Sequence, residues 1–272
     1  MSITKKEHFI PRAAYLRRFS NTRNHDDKKN KLMAYSVSEN RCYQTNVYDS
    51  ACVNSIYEEN EIEKNAIEKL FNVLEEDLAT FFDMLESICL NPANQHALIL
   101  HNTDERDSLK FFVVWQLYRT EKRRAQDRQN FGEANEGNLA FLKRLIGRDE
   151  NGEAILIKWK NLLENHYFVF ERNTTNIPFI LPDDPVFLFH SESNQPNTVN
   201  FRFPLTPWIQ ILLIDPTSSE HIWAKPFRNR IRLVSDPTYI QSWNTKGIEE
   251  SYRNVYYTPN SGTIRDGVFC PL

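Results

Sequence analysis

Apolar residues recur at three- and four-residue steps along residues 58–87, and this is the strongest helical pattern in the chain. The repeating positions are Ile67, Leu70, Phe71, Leu74, Leu78, Phe81, Phe82 and Leu85. This spacing gathers them on one face of an α-helix, so that face must pack against other elements. Similar patterns predict a second long helix over residues 108–128 and shorter helices over residues 138–146 and 154–165.

Strand patterns occupy the remaining segments. Residues 32–37 and 42–48 predict a small hairpin, because the turn formers Ser38, Glu39 and Asn40 lie between them. After His166, short β-branched or aromatic runs predict strands over residues 167–171, 177–181, 186–189, 209–214 and 254–258, with a helix over residues 238–250. The chain is therefore predicted to be a single α+β domain over residues 1–272, mainly helical with a small hairpin over 1–165, and mainly antiparallel β over 166–272.

The segment His8–Phe19, HFIPRAAYLRRF, combines an apolar face with polar side chains. Pro11 favours the first turn of a helix, where its missing N–H has no partner to lose. The apolar stripe of that helix is formed by Tyr15, Leu16 and Phe19, and it continues backwards to Arg12 and His8. Arg17 and Arg18 leave the stripe, so both are predicted to face solvent or a ligand.

An arginine on a buried face is costly unless an anion meets it. Arg12 is therefore expected to pair with Glu68, Glu75 or Asp183, or else with a phosphate-like ligand. Glu68 and Glu75 border the apolar stripe of the first long helix, seven residues apart, and Asp183 lies in a Pro-Asp-Asp-Pro corner. On the second helix, Gln116, Arg119 and Arg123 share one face.

Composition excludes several classes of protein. The 272 residues carry a formal charge of −3, and no run of eighteen apolar residues suggests a membrane span. Four separated cysteines give no zinc spacing, and seven glycines form neither a dinucleotide-binding nor a Walker loop. The segment Met1–Lys6 lacks the apolar centre of a signal peptide, so we expect a cytoplasmic protein without a membrane partner.

Four motifs together resemble a known family. They are the HFIPR…YLRRF segment, Ile67-Glu68 with Leu74-Glu75, Gln116 with Arg119-Thr120, and Pro178-Phe179-Ile180 with Asp183-Asp184-Pro185-Val186. This set is similar to the family catalogued as domain of unknown function 4238, and the similarity covers most of the chain. The resemblance implies a mainly bacterial, cytosolic family, and it implies no particular activity.

Each of these motifs contributes a polar residue at or near a predicted apolar face. We expect these residues to converge on one open pocket at the junction of the two halves, roofed by the first helix. The residues are His8, Arg12, Glu68, Glu75, Gln116, Arg119 and Asp183.

The first functional hypothesis is a cofactor-free enzyme that cleaves a phosphodiester, with single-stranded RNA as substrate. His8 suits proton transfer at neutral pH, and arginines match two phosphate oxygens at once. The predicted catalytic residues are His8, Arg12, Arg119 and Asp183. The predicted substrate-binding residues are Arg17, Arg18, Gln116 and Arg123.

Two alternatives remain open at this point. One is a metal-dependent hydrolase, in which Glu68, Glu75 and Asp183 supply oxygen ligands to Mg²⁺ or Mn²⁺. The other is a non-enzymatic protein that binds or senses an anion, a nucleotide or another phosphate-containing ligand. In that case the same residues form a buried ion-pair network. The oligomeric state is not predicted.

Overall fold

The structure is a computed structural model that describes residues 6–54, 66–94, 97–131, 155–189 and 198–272. The predicted hairpin is confirmed as the antiparallel strands β2 (Lys31–Ser36) and β3 (Arg41–Asn46). Two short strands that the pattern did not predict, β1 (Lys6–His8) and β4 (Cys52–Asn54), pair antiparallel with each other. The sequence predicted a mainly helical N-terminal part, and this prediction is wrong because strands β1 to β4 lie there. Strands β1 and β4 were missed because three residues are too few to show a period of two.

The helical segments follow in the order α1 (Ala66–Leu90), α2 (Thr103–Arg119), α3 (Glu121–Phe131) and α4 (Ile155–Leu163). The predicted long helix over residues 108–128 is two helices, since Thr120 has an extended ψ of 152°. Helix α2 also begins earlier than predicted, because Asn102 and Glu105 form a reciprocal capping box. The predicted helix over residues 138–146 and the beginning of the first long helix lie outside the described residues.

The C-terminal strands are β5 (Tyr167–Asn173), β6 (Leu181–Pro182), β7 (Phe187–Phe189), β8 (Asn200–Thr206), β9 (Ile209–Ile214), β10 (Arg230–Val234), β11 (Asn254–Tyr257), β12 (Gly262–Arg265) and β13 (Val268–Pro271). The helices α5 (His221–Ala224) and α6 (Pro237–Glu250) lie between them in the chain. The prediction of strands near residues 167, 186, 209 and 254 is confirmed. Of the predicted strand over 177–181, only Leu181 lies in a strand.

Two sheets organise the molecule. Five strands form a sheet in the order β10-β5-β9-β8-β7, in which only β10 runs parallel to its neighbour. Four strands form an antiparallel sheet in the order β3-β2-β11-β6. Since β2 pairs with β11, the N-terminal hairpin belongs to the same sheet as the C-terminal segment.

The main core lies between one face of the five-stranded sheet and helices α1 and α2. Side chains alternate across a strand, so Phe201, Phe203 and Ile211 enter this core while Arg202 and Gln210 point to the opposite face. The aromatic residues Tyr15, Phe82 and Phe112 meet edge to face within it. The Tyr15 hydroxyl donates to the Pro204 carbonyl at 2.6 Å, which fixes the N-terminal segment against β8.

The N-terminal helix differs from its prediction in type. Residues Leu16–Phe19 form a 3₁₀-helix, preceded by turns from Pro11. The predicted apolar residues of this segment are nevertheless buried in the core, since Tyr15, Leu16 and Phe19 are all 0% exposed. His8 lies upstream in β1, and not on this helix.

No helix among the described residues combines the length and the apolar composition that a membrane span requires.

Candidate functional site

His8 ends strand β1 opposite Cys52 and is almost fully buried, with 3% of its surface exposed. Its Nε2 lies 3.1 Å from the Tyr48 carbonyl oxygen. Burial, together with the positive charge of Arg12, lowers the pKa of His8 to about 3. The imidazole is therefore uncharged at neutral pH.

Side chains of α2 form hydrogen bonds with the backbone of the segment that contains His8. Arg119, 1% exposed, donates to the His8 carbonyl, and the Gln116 side-chain amide donates to the Phe9 carbonyl at 2.8 Å. Arg119 Nη1 also lies 2.7 Å from Glu75 Oε1, and its guanidinium carbon lies 4.9 Å from the centre of the Trp115 ring. The structure thus brings together four of the predicted residues, and their contacts join α1, β1 and α2.

The sequence predicted Glu68, Glu75 or Asp183 as partners of Arg12, but the structure pairs Arg12 with Asp27. Its Nη1 lies 3.2 Å from Asp27 Oδ2, while Arg17 Nε donates to Asp27 Oδ1 at 2.6 Å. Asp27 is only 7% exposed, although the sequence around it reads as a solvated loop. Two guanidinium groups on one buried carboxylate explain how Arg12 is satisfied without a distant partner.

Arg18 was predicted to face solvent or a ligand, and this placement is wrong. Only 4% of Arg18 is exposed, and its guanidinium is bound by α1. It donates to Glu86 at 2.6 Å, to Asp83 at 2.8 Å and to the Ala79 carbonyl at 3.1 Å. The reason is the 3₁₀ turn at residues 16–19, which rotates Arg18 toward α1.

Asp183 serves the backbone of the segment after α6. Its carboxylate accepts the N–H groups of Tyr252 at 2.8 Å, Arg253 at 2.6 Å and Asn254 at 2.9 Å. Burial raises the pKa of Asp183, and these three hydrogen bonds act in the opposite direction. The carboxylate thereby ties β6 to the start of β11.

The predicted metal ligands belong to different networks. Glu75 forms the ion pair with Arg119, and Asp183 accepts backbone N–H groups. The side chain of Glu68 lies outside the described residues. Among the residues that the structure describes, no group of three or more His, Cys, Asp or Glu is placed to hold a metal ion.

Four cavities of 280 to 550 Å³ open among the described residues. Of the predicted site residues, Arg123 alone lines any of these four. Its guanidinium carbon lies 5.2 Å from the centre of the Tyr118 ring, in a cavity that Asp184 and Glu250 also line. The expected open pocket around His8 and Arg119 is not among these four cavities.

The largest of the four cavities, which we call the cationic pocket, has a volume of about 550 Å³. It lies where the first half of α2, the end of α4, the start of β5 and the residues before β10 meet. The charged residues that line it are Arg106, Asp107, Lys110, Lys160, Glu164 and Arg228. Four cations against two carboxylates leave an excess of two positive charges.

Lys110 interacts electrostatically with four of the other charged residues that line the cationic pocket. Its Nζ donates to the Glu164 carbonyl at 3.0 Å. Burial lowers the pKa of Lys110, and the positive charges of Arg106 and Arg228 add to this effect, while Asp107 and Glu164 oppose it. The like-charged groups are thus close enough to repel one another, and a bound anion would relieve that repulsion.

Two of the other cationic side chains, Arg106 and Arg228, contact neighbouring groups. Arg106 Nη2 donates to the Thr103 hydroxyl at 3.2 Å, and the Arg228 guanidinium carbon lies 5.4 Å from the centre of the Tyr167 ring. His166 also lines the pocket, with its Nε2 2.8 Å from the Val199 carbonyl oxygen. Burial lowers the pKa of His166, and the carboxylate of Asp215, 3.8 Å from Nε2, acts in the opposite direction.

Sequence reasoning missed the cationic pocket, although part of its signal is local. The capping box of Asn102 and Glu105 marks the true start of α2, which places Arg106 and Lys110 four residues apart on one helical face. Arg228 comes from a segment more than a hundred residues away, and no local pattern connects it to α2.

A second polar cluster that the sequence did not reveal crosses the outer face of the five-stranded sheet. Glu171, fully buried on β5, accepts hydrogen bonds from Gln210 on β9, Arg232 on β10 and the Tyr239 hydroxyl on α6. Arg202 on β8 donates to Gln210 and lies with its guanidinium carbon 3.5 Å from the centre of the Trp243 ring. Burial lowers the pKa of Arg202 to about 9. This cluster fixes α6 on the sheet.

Comparison with known proteins gives one match. The model of the family described as "Protein of unknown function (DUF4238)" matches residues 6–261. No curated protein and no solved structure matches the chain. Because the match spans nearly the whole sequence, the chain belongs to the DUF4238 family of proteins of unknown function.

Proposed function

We propose that this protein binds a phosphate-containing ligand in the cationic pocket. The observation that carries the proposal is the excess of two positive charges around a cavity of about 550 Å³. This volume lies within the range of small-molecule sites, and arginine and lysine are the side chains that bind phosphate oxygens. This choice corresponds to the non-enzymatic alternative of the sequence analysis, with a different set of ligand-binding residues.

The proposal gives separate roles to the two polar regions of the molecule. Arg12, Arg17, Arg18 and Arg119 already have carboxylate partners within the protein. These pairs tie the N-terminal segment to its neighbours, and removing one partner would leave a largely buried charge unpaired. The cationic pocket, by contrast, contains more positive than negative groups and is open to solvent.

Binding of inorganic pyrophosphate by isothermal titration calorimetry tests this proposal. We expect saturable binding to the wild-type chain at low ionic strength, weakening as salt rises, because the attraction is electrostatic. Lys110→Gln should weaken binding at least about tenfold, which corresponds to about 1.4 kcal/mol.

The matched control is Lys29→Gln, which removes the same charge from a side chain that is 68% exposed and lies outside the pocket lining. This variant should bind pyrophosphate like the wild type. If the wild type and Lys110→Gln bind pyrophosphate with equal affinity, the proposal is contradicted. If Lys110→Gln and Lys29→Gln lose the same affinity, binding depends on net charge alone and the proposal also fails.

Cleavage of a phosphodiester at His8 is the second candidate function. The proximity of the His8 backbone to Gln116 and Arg119 supports it, because β1 and α2 are distant in the chain and meet at this point. With a pKa of about 3, His8 would act at neutral pH as a weak base or hydrogen-bond partner, and not as a proton donor.

A fluorescently labelled single-stranded RNA tests this second candidate. If His8 is catalytic, His8→Gln should abolish cleavage without a large fall in melting temperature. A melting temperature that falls strongly, with no cleavage by the wild type, would place His8 among residues that stabilise the fold.

A further inference from the structure

A second cavity adjoins the cationic pocket. It has a volume of about 290 Å³ and shares Asp107, Lys110 and Lys160 with the first cavity. Its remaining lining is Phe111, Val114, Ile157, Trp159 and Leu163, so we call it the apolar pocket. The three shared residues are charged and line both cavities, so the cationic pocket and the apolar pocket are adjacent.

The apolar pocket exposes large side chains that a folded protein normally covers. Phe111 is 39% exposed and Ile157 is 50% exposed. The ring of Phe111 stacks against the ring of Trp115, with their centres 6.3 Å apart and their planes at an angle of 26°. Trp159 is oriented by the hydrogen bond from its Nε1 to the Tyr118 hydroxyl, at 3.1 Å. These contacts hold the aromatic walls in fixed positions.

We propose that the ligand is a nucleoside monophosphate, with its phosphate in the cationic pocket and its base in the apolar pocket. This inference rests on the proposed function. Lys110 and Lys160 stand between the two cavities and contact the phosphate from that side. A base packs well against Phe111 and Ile157, because every base has an apolar, stackable face.

Asp107 favours a nucleotide over a phosphate with an alkyl chain. Asp107 lines both cavities, so a sugar that joins a phosphate in one cavity to a base in the other would lie beside it. A ribose offers hydroxyl donors to this carboxylate, whereas an alkyl chain would bury it without a partner, which is costly.

The test compares ligands that share the phosphate and differ in the base. The affinities of ribose 5-phosphate, AMP, GMP, CMP and UMP for the full chain are measured by calorimetry. We expect at least one nucleotide to bind about tenfold more tightly than ribose 5-phosphate. Phe111→Ala should remove this preference and leave the affinity for ribose 5-phosphate unchanged.

Ile222→Ser is the control for loss of exposed apolar surface, since Ile222 is 82% exposed and lies outside both cavities. It should retain the preference for nucleotide. If neither pyrophosphate, ribose 5-phosphate nor any nucleotide binds, the proposed function fails, and the inference with it. If pyrophosphate or ribose 5-phosphate binds but no nucleotide binds more tightly than ribose 5-phosphate, only the inference fails. Octyl phosphate that outcompetes every nucleotide, with the same dependence on Phe111, would also overturn the inference, because the apolar pocket would then hold a chain.

Discussion

Replacing Arg119 by methionine removes the guanidinium that joins β1, α1 and α2. The side chain is 1% exposed, pairs with Glu75 at 2.7 Å and donates to the His8 carbonyl. Methionine keeps most of the apolar volume, so the expected loss comes from the polar contacts. After the substitution, Glu75 would hold a negative charge with only 11% of its side chain exposed.

Breaking a buried ion pair costs about 3–5 kcal/mol, and an unpaired buried carbonyl about 1–3 kcal/mol. Because Glu75 retains some contact with water, the lower end of the first range applies. We therefore expect Arg119→Met to lower the free energy of unfolding by about 3 kcal/mol, measured by urea denaturation. Glu75→Gln in the same chain should recover at least about 1 kcal/mol, since it removes the stranded charge.

The matched control is Arg41→Met. Arg41 also pairs with a carboxylate, Glu39 at 2.8 Å, but the two side chains are 68% and 58% exposed. Exposed pairs contribute at most about 1 kcal/mol, so this variant should unfold close to the wild type. If Arg119→Met loses no more stability than Arg41→Met, the network does not stabilise the fold. A stable Arg119→Met protein that fails to cleave RNA would then return Arg119 to the catalytic set.

Two further predictions concern pH. The pKa of His8 is lowered to about 3 in the folded chain from an ordinary value of 6.5, so the unfolded chain binds the extra proton as pH falls. The free energy of unfolding should therefore decrease from pH 6.5 toward pH 3. In urea denaturation, His8→Gln should show a smaller decrease over this pH range than the wild type. An equal decrease in both proteins would contradict the burial of an uncharged His8. The pKa of Asp184 is raised to about 6 from 3.8, chiefly by burial, so the folded chain holds its proton longer. The contribution of Asp184 to the free energy of unfolding should fall as pH rises from 3.8 to 6. Asp184→Asn should therefore stabilise the protein more at pH 7.5 than at pH 4. Equal effects at both pH values would refute this prediction.

Local patterns determined the elements with a clear period. The stripe of Leu78, Phe82 and Leu85 predicts α1, since α-helical spacing needs only neighbours within two turns. The hairpin β2–β3 and the strands β5 and β9 follow from β-branched and aromatic runs with turn residues beside them. The α+β class and the family were also readable from the sequence alone.

The sequence also indicated that polar residues lie close to the core, but not which of them meet. Gln116, Arg119 and His8 do come together. The partner of Arg12 proved to be Asp27, because the turn at residues 11–15 and the 3₁₀-helix direct these arginines differently from an α-helix. A change from 3.6 to three residues per turn is enough to move a side chain to another face.

Only the tertiary structure decided the long-range pairings and, with them, the candidate ligand site. Strand β1 needs β4, and β2 needs β11, more than two hundred residues away. The cationic pocket likewise forms only when the segment that contains Arg228 packs near α2, which contains Lys110. Hydrophobic periodicity indicates which face of an element is buried. It does not indicate which charged side chains from separate elements come together around a pocket. For that reason the sequence predicted many of the elements of this protein, and the packing of those elements determined where the cationic pocket lies.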